Sequence, residues 1–207
     1  MVRLLIKAII FDYYGVMCPR IEHCLVENTA KQFGSDYSTI KNIIVQLLDA
    51  LDENSITFYE YWRIMKLKLK NNSPNLSDHL KIWKQCSLQL ELRPEMKNLV
   101  LKLKRLGFRV PLLTNVTKGM VKYNKLKGRY KIFKPLFLSC DIELRKPSPA
   151  IFTYVLKKLG LEPEECLFID DQQSYLDGAE RIGLRTILFK DYSQLVEELK
   201  RFGVNGI

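Results

Sequence analysis

Apolar and polar positions along the chain follow two regimes. In the first, short continuous apolar runs each end on a polar residue: KAIIFD at 7–12, FRVPLLTN at 108–115, CLFIDD at 166–171 and LRTILFK at 184–190, with PLFLSCD at 135–141 fitting the same form. Runs of this length without alternation suit strands covered on both faces, as in a parallel sheet. Helical patterns separate most of them. PEMKNLVLKLKRL at 94–106 opens on Pro94 and stops at Gly107, and SPAIFTYVLKKL at 148–159 opens on Ser148-Pro149 and stops at Gly160. Residues 172–182 run to Gly183, and SQLVEELKRF at 193–202 runs to Gly203. Proline at the start and glycine just past the end mark helix boundaries. Strands alternating with helices predict an α/β fold built on a doubly wound parallel sheet.

The second regime runs from about 19 to 90 and shows no strand pattern. LVENTAKQF, YSTIKNIIVQLLDAL, TFYEYWRIMKLKLK and LSDHLKIWKQCSLQLEL carry apolar residues at three- and four-residue steps, with breaks at Gly34, Asn54-Ser55 and Asn71-Asn72-Ser73-Pro74. The pattern predicts an all-helical module over 19–89 inserted after the first strand, with 1–18 and 90–207 forming the α/β core.

Composition adjusts this picture in three places. The 207 residues are 47% hydrophobic, enough for a sizeable core. The opening MVRLLIKAIIFD is broken by Lys7 and Asp12 and is too short to span a membrane, so a soluble, cytoplasmic protein with no membrane partner is expected. Five cysteines without a C-x-x-C pair read as reduced, mostly buried thiols, and C-P-R-I-E-H-C at 18–24 lacks the spacing of a structural zinc site. The net charge of +10 comes from lysines alternating with leucine, as in KLKLK at 66–70. No nucleic-acid motif accompanies them, so a solvated surface or a field that attracts small anions is expected rather than nucleic-acid binding.

The polar strand ends carry the candidate chemistry. In an open α/β sheet, ligands bind beyond the carboxyl ends of the strands. Those ends hold Asp12, Thr114-Asn115, Asp141 and Asp170-Asp171, and Lys146 follows shortly after the strand that ends at Asp141. Asp12 suits a carboxylate nucleophile. Asp170 and Asp171 are hard oxygen ligands suited to Mg²⁺. Thr114 and Asn115 offer a hydroxyl and an amide to an anionic group, and Lys146 balances the acids. Each residue alone also fits a plain turn or helix cap; their order and shared position at strand ends favour a functional reading.

The set FDYYGV, LLTN, RKPSPAIF and FIDDQQSYLDGA, in that order, resembles the four motifs of the haloacid dehalogenase-like hydrolases. The resemblance covers about 1–16 and 90–190 and implies a Rossmann-like sheet with a helical cap after the first motif. It also implies a nucleophile at Asp12, anion contacts from Thr114, Asn115 and the Tyr13 backbone N–H, and a charge-balancing Lys146. The implied Mg²⁺ is held by Asp12, the Tyr14 carbonyl, and Asp170 or Asp171.

Two branches of the family pull apart here. Phosphatases usually carry D-x-D in the first motif, whereas D-x-Y-G at Asp12–Gly15 resembles the metal-independent 2-haloacid dehalogenases. The intact Asp170-Asp171 pair resembles the Mg²⁺-dependent phosphatases. Phe152 replaces the tyrosine that dehalogenases place after the lysine, and Tyr175 stands where many phosphatases have asparagine. Cap arginines Arg20 and Arg63 do not match the dehalogenase spacing. Two adjacent acids beside Asp12 would repel an anionic substrate without a cation, which favours Mg²⁺-dependent hydrolysis of a small phosphate ester. Tyr14, with an ordinary phenol pKa of about 10, is a poor stand-in for the missing acid, so slow turnover and a preference for aryl or acyl phosphates are expected. Tyr14 equally fits an aromatic lid on the sheet edge. His23 is read as a surface histidine. A 2-haloacid dehalogenase and a non-catalytic anion-binding protein remain the alternatives.

Overall fold

The computed structural model describes residues 6–52, 55–69 and 75–207. The chain divides into two compact units, one of residues 1–18 and 92–207 and one of residues 19–91.

In the first unit, five short parallel strands form one sheet: β1 Ala8–Phe11, β2 Leu112–Thr114, β3 Leu136–Leu138, β4 Cys166–Asp170 and β5 Arg185–Leu188, ordered β3-β2-β1-β4-β5. The pairings between these strands are all parallel, and helices follow the strands as the alternation predicts. The strand order places β1 at the centre, between β2 and β4, so three motif-bearing strand ends lie side by side. Every residue of β1 and β4 is buried, which explains their unbroken apolar runs. One face packs Ile10, Leu113, Phe152, Val155 and Phe168 into a core with Leu176 and Ala179.

Three sequence expectations shift at this stage. FRVPLLTN pairs as a strand only over Leu112–Thr114, because Pro111 has no N–H for a ladder. PLFLSCD ends its strand at Leu138 and turns into a short helix, Ser139–Ile142. Asp141 therefore lies exposed on that helix and is not among the grouped carboxylates. A helix at Lys118–Leu126 was not anticipated: it is rich in lysine and buries only Val121 and Asn124, with Thr117 capping it through the Met120 N–H.

Among the described residues the second unit holds four helices: α1 Ile21–Phe33, α2 Tyr37–Asp52, α3 Phe58–Lys68 and α4 Leu76–Leu88. The remaining helices are α5 Pro94–Arg105, α6 Lys118–Leu126, α7 Ser139–Ile142, α8 Pro149–Leu159, α9 Gln173–Glu180 and α10 Tyr192–Arg201. Leu25, Ile40, Ile44, Tyr61, Met65 and Ile82 make the core of the helical unit. Gly34 ends α1 in the left-handed conformation, and Thr57 and Glu60 form a reciprocal capping box on α3. Of the expected breaks, Asn54 and 71–74 lie outside the described residues.

The cysteine reading is corrected here. Cys18, Cys140 and Cys166 are free and buried, but Cys24 on α1 and Cys86 on α4 form a disulfide across 62 residues of sequence. Helix packing brings their Cα atoms to 5.5 Å, within bridging reach, and no spacing rule in the sequence reports that. No described helix is long and apolar enough to cross a membrane.

Candidate active site

The site grows from the register of the central strands. Phe11 of β1 pairs with Ile169 of β4, and the Asp12 N–H donates to the Ile169 carbonyl at 2.9 Å. Asp12 and Asp170 therefore leave neighbouring strands at the same level, both almost fully buried. The loop before α8 supplies Lys146, which is completely buried. Its ammonium bridges the two acids, with Nζ 2.6 Å from Asp12 Oδ1 and 2.5 Å from Asp170 Oδ2. Asp170 Oδ1 accepts the Gln172 N–H at 2.9 Å, so both oxygens of that carboxylate are engaged.

Asp171 completes the cluster. Asp12, Asp170 and Asp171 each offer an oxygen, and the three lie within 4.8 Å of one another. Lys146 bridges two of these carboxylates, and the three grouped carboxylate oxygens fit a hard divalent cation that takes oxygen ligands. Gly15, at φ 92°, holds the loop after β1 against this acid: a Cβ there would sit 2.2 Å from Asp171 Oδ2. Gly178 does the same on the other side, because a Cβ on α9 would meet the Pro147 carbonyl at 2.0 Å. The lysine loop and α9 can approach only because that position has no side chain.

The titration directions follow from this burial. Removal from water pushes the Asp12 carboxyl up to about 7, against the pull of Lys146, and Asp170 pushes it further. Asp170 is raised by burial as well, while Lys146 draws it back. Burial alone would lower Lys146, but Asp12 and Asp170 outweigh it and hold the ammonium above the ordinary lysine value.

Asn115 is committed to the lysine. Its Nδ2 donates to the Lys146 carbonyl at 2.9 Å, and its Oδ1 accepts the Lys146 N–H at 3.0 Å. Thr114 is fully buried at the end of β2, with Oγ1 3.3 Å from the Asn115 carbonyl. The Val116 N–H donates to Ser139 Oγ at 2.9 Å, which pins the loop that carries Asn115.

The tyrosines after Asp12 turn to other partners. Tyr13 is fully buried, edge-on to the rings of Tyr14 and Tyr130. The Tyr14 hydroxyl accepts from Asn124 Nδ2 at 2.8 Å, and the same amide donates to the Tyr130 hydroxyl at 2.8 Å. Arg129 Nη1 donates to Asn124 Oδ1 at 3.1 Å and fixes which way that amide faces. Burial holds the Tyr14 phenol well above its usual value. His23 is exposed on α1 of the helical unit. The sequence reading missed Asn124 on α6 and Arg129 and Tyr130 in the turn that follows it.

A residue singled out in sequence only as a departure, Tyr175, lies within the cluster. The Lys146 Nζ sits 4.7 Å from its ring centroid and 5.4 Å from that of Phe168.

The site is thus a buried carboxylate paired to lysine at the carboxyl edge of a parallel sheet, with two more acids beside it. A family model for haloacid dehalogenase-like hydrolases matches residues 6–183, and the chain belongs to that family. Flavin mononucleotide hydrolase 1 of Arabidopsis thaliana is 31% identical over 113 residues, 53% of this chain and 45% of its own length. The chain thus spans less than half of that relative. The (S)-2-haloacid dehalogenase 4A of Burkholderia cepacia is 23% identical over 88% of this chain and 82% of its own. A haloacid dehalogenase family enzyme of Bacteroides thetaiotaomicron, crystallised with magnesium and inorganic phosphate, shares the fold at a TM-score of 0.67. It is 23% identical, and the match covers 92% of this chain and 98% of that one.

Proposed function

We propose that this chain is a Mg²⁺-dependent hydrolase of small phosphate esters that uses Asp12 as its nucleophile. The observation that carries the reading is the grouping of Asp12, Asp170 and Asp171 within 4.8 Å, with the buried Lys146 ammonium bridging the first two. Carboxylates grouped this closely repel a phosphate ester until a divalent ion joins them. Asp12, Asp170, Asp171 and the Tyr14 carbonyl would hold that ion. When bound, it draws charge from the phosphoryl oxygens and relieves their repulsion with Asp12. The magnesium and phosphate bound by the Bacteroides enzyme support the reading.

Lys146 holds Asp12 by Oδ1, which leaves Oδ2 as the oxygen that attacks phosphorus. The bond from phosphorus to the ester oxygen breaks, the alcohol or acid departs with the electron pair, and an aspartyl phosphate remains for water to hydrolyse. Burial holds the Tyr14 phenol well above its usual value, so it is too weak an acid to replace a carboxylic acid in protonating the leaving oxygen. A positioned acid is worth about 10²–10⁴-fold. Substrates that leave as stable anions, aryl and acyl phosphates, therefore turn over faster than sugar phosphates.

The test compares an aryl phosphate with a sugar phosphate at matched Mg²⁺, with and without EDTA. EDTA abolishes turnover, and Asp12→Asn lowers it by more than about 10³-fold. Faster turnover of the sugar phosphate would count against the leaving-group argument. A second reading, displacement of halide from a 2-haloacid, is favoured by Asp12-Tyr13-Tyr14-Gly15 and by the similarity to the Burkholderia dehalogenase. EDTA-insensitive halide release would select it.

A further inference from the structure

We propose that Tyr175 contacts the bound anion through its phenolic hydrogen, as a substrate-binding residue that fills the donor role Asn115 cannot fill. The inference rests on the phosphatase reading above and extends it to a position where the fourth motif departs from the phosphatases.

The hydrogen-bond inventory of Asn115 comes first. A carboxamide has two N–H hydrogens and one carbonyl oxygen. Here the oxygen accepts the Lys146 N–H at 3.0 Å, and Nδ2 donates to the Lys146 carbonyl at 2.9 Å and lies 3.5 Å from the Tyr175 hydroxyl. With both hydrogens turned inward, Asn115 clamps the lysine loop and keeps no donor for a substrate. Its second hydrogen points at the oxygen of Tyr175. A phenol that accepts at its oxygen still has its own hydrogen to donate.

The surroundings then say what that hydrogen faces. The Tyr175 ring lies 4.7 Å from Lys146 Nζ, which is itself 2.6 Å from Asp12 Oδ1. The phenol sits in the field of Lys146, Asp12 and Asp170, and burial raises its pKa, so it stays a neutral O–H. Tyr175 is half-buried, whereas Lys146 and Asp170 beneath it are sealed. Gln172 also interacts with this hydroxyl in the sense that lowers its pKa, as an amide donating to the phenol oxygen does, which leaves the phenolic hydrogen for the anion. Tyr175 thus does two things: its ring covers the lysine, and its hydroxyl offers a donor one side chain away from the nucleophile.

Two variants separate these roles. Tyr175→Phe keeps the ring over Lys146 and removes only the hydroxyl; Tyr175→Leu removes both. The measurements are the Mg²⁺-dependent affinity for inorganic phosphate by calorimetry, KM and kcat for p-nitrophenyl phosphate, and thermal melting. A hydrogen bond to a charged group predicts that Tyr175→Phe raises Kd for phosphate and KM about tenfold. Its kcat stays within about threefold, because the donor acts on bound anion and reaction alike, and its melting temperature is unchanged. Tyr175→Leu shows the same KM effect plus a drop in kcat. A phenylalanine variant with wild-type KM and phosphate Kd overturns the inference and leaves the phosphatase reading standing. A wild-type protein that neither binds phosphate nor hydrolyses the ester with Mg²⁺ overturns both.

Discussion

In the α/β unit, buried charges converge: Lys146, Asp12 and Asp170 are at most 5% exposed and touch one another. In the helical unit the buried polar residues described are Thr29, His79 and Ser87, none of them an acid, lysine or arginine. The surface charge divides the same way. Residues 19–91 carry nine basic and nine acidic side chains, so the whole net charge of +10 belongs to the α/β unit. One unit keeps a charged cluster out of water, which costs desolvation and is retained for chemistry. The other buries aliphatic and aromatic side chains and draws its stability from packing. The unit that carries the acidic site also carries the positive field that would draw an anion toward it.

The sharpest break of this contrast is Lys146→Met. It leaves Asp12 and Asp170 facing each other in a buried site without their counter-ion. Removing one partner of a buried ion pair costs about 3–5 kcal/mol. Denaturant unfolding at pH 8 without Mg²⁺ should show that loss, and hydrogen exchange should rise in β1 and β4 but not in α1–α4. Added Mg²⁺ should restore part of it, by supplying positive charge to the same oxygens. A loss below about 1 kcal/mol would mean that the acids already share a proton, and the charged cluster would lose its meaning.

The α/β unit was also the more legible one. Its strands announce themselves because a sheet covered on both faces demands unbroken apolar runs. Its chemistry is legible because Asp12, Asp170 and Lys146 stand at the ends of those runs. What stayed hidden depends on three-dimensional neighbours. Asn115 reads as a substrate donor until its amide is seen turned toward Lys146. Tyr14 reads as a poor acid or as an aromatic lid, and only the fold reveals Asn124 donating to its hydroxyl with Arg129 holding that amide. Tyr175 reads as a bare departure until its ring is seen over the lysine. Asp141 shares the strand-end pattern, yet the chain turns into α7 before reaching it. In the helical unit the apolar periodicity predicted the helices, but the pairing of α1 with α4 leaves no local trace, so the Cys24–Cys86 bridge was invisible.

That bridge gives the second test. Cys86→Ser releases a closed loop of 62 residues of separation, and a disulfide closing a loop of this size is worth about 2–4 kcal/mol. Reduction of the wild type should reproduce the effect. Hydrogen exchange should quicken in α1–α4 and leave the central strands alone. Alanine at the free Cys140 keeps the bridge, so that variant should respond to reductant as the wild type does. Equal protection with and without the bridge would show that the aliphatic core of the helical unit suffices by itself.

The smallest effect concerns acid, and here the two units should move in opposite directions. His79 on α4 is fully buried beside Phe58 and Tyr61, with ring centroids 6.1 and 5.2 Å away. Its Nε2 accepts the Trp83 Nε1 hydrogen at 3.1 Å, which requires that nitrogen to be unprotonated. Burial pushes its pKa down to about 4 from an ordinary 6.5. The folded state therefore prefers neutral histidine: its contribution is complete above pH 6.5 and is lost as pH falls toward 4, by up to about 3 kcal/mol. Asp12 has the reverse sign. Its folded pKa of about 7 lies above the unfolded 3.8, so without Mg²⁺ its contribution is complete below 3.8 and is lost as pH rises through 7. A whole-chain melt between pH 4 and 7 would blend the two slopes. Hydrogen exchange read separately in α4 and β1 should show the helical unit loosening toward acid while the sheet tightens. His79→Gln retains a side-chain acceptor for Trp83 without a titrating ring, so it should flatten the slope in α4 alone. If that slope persists, the acid sensitivity belongs to another group, and the helical unit does not depend on a neutral His79.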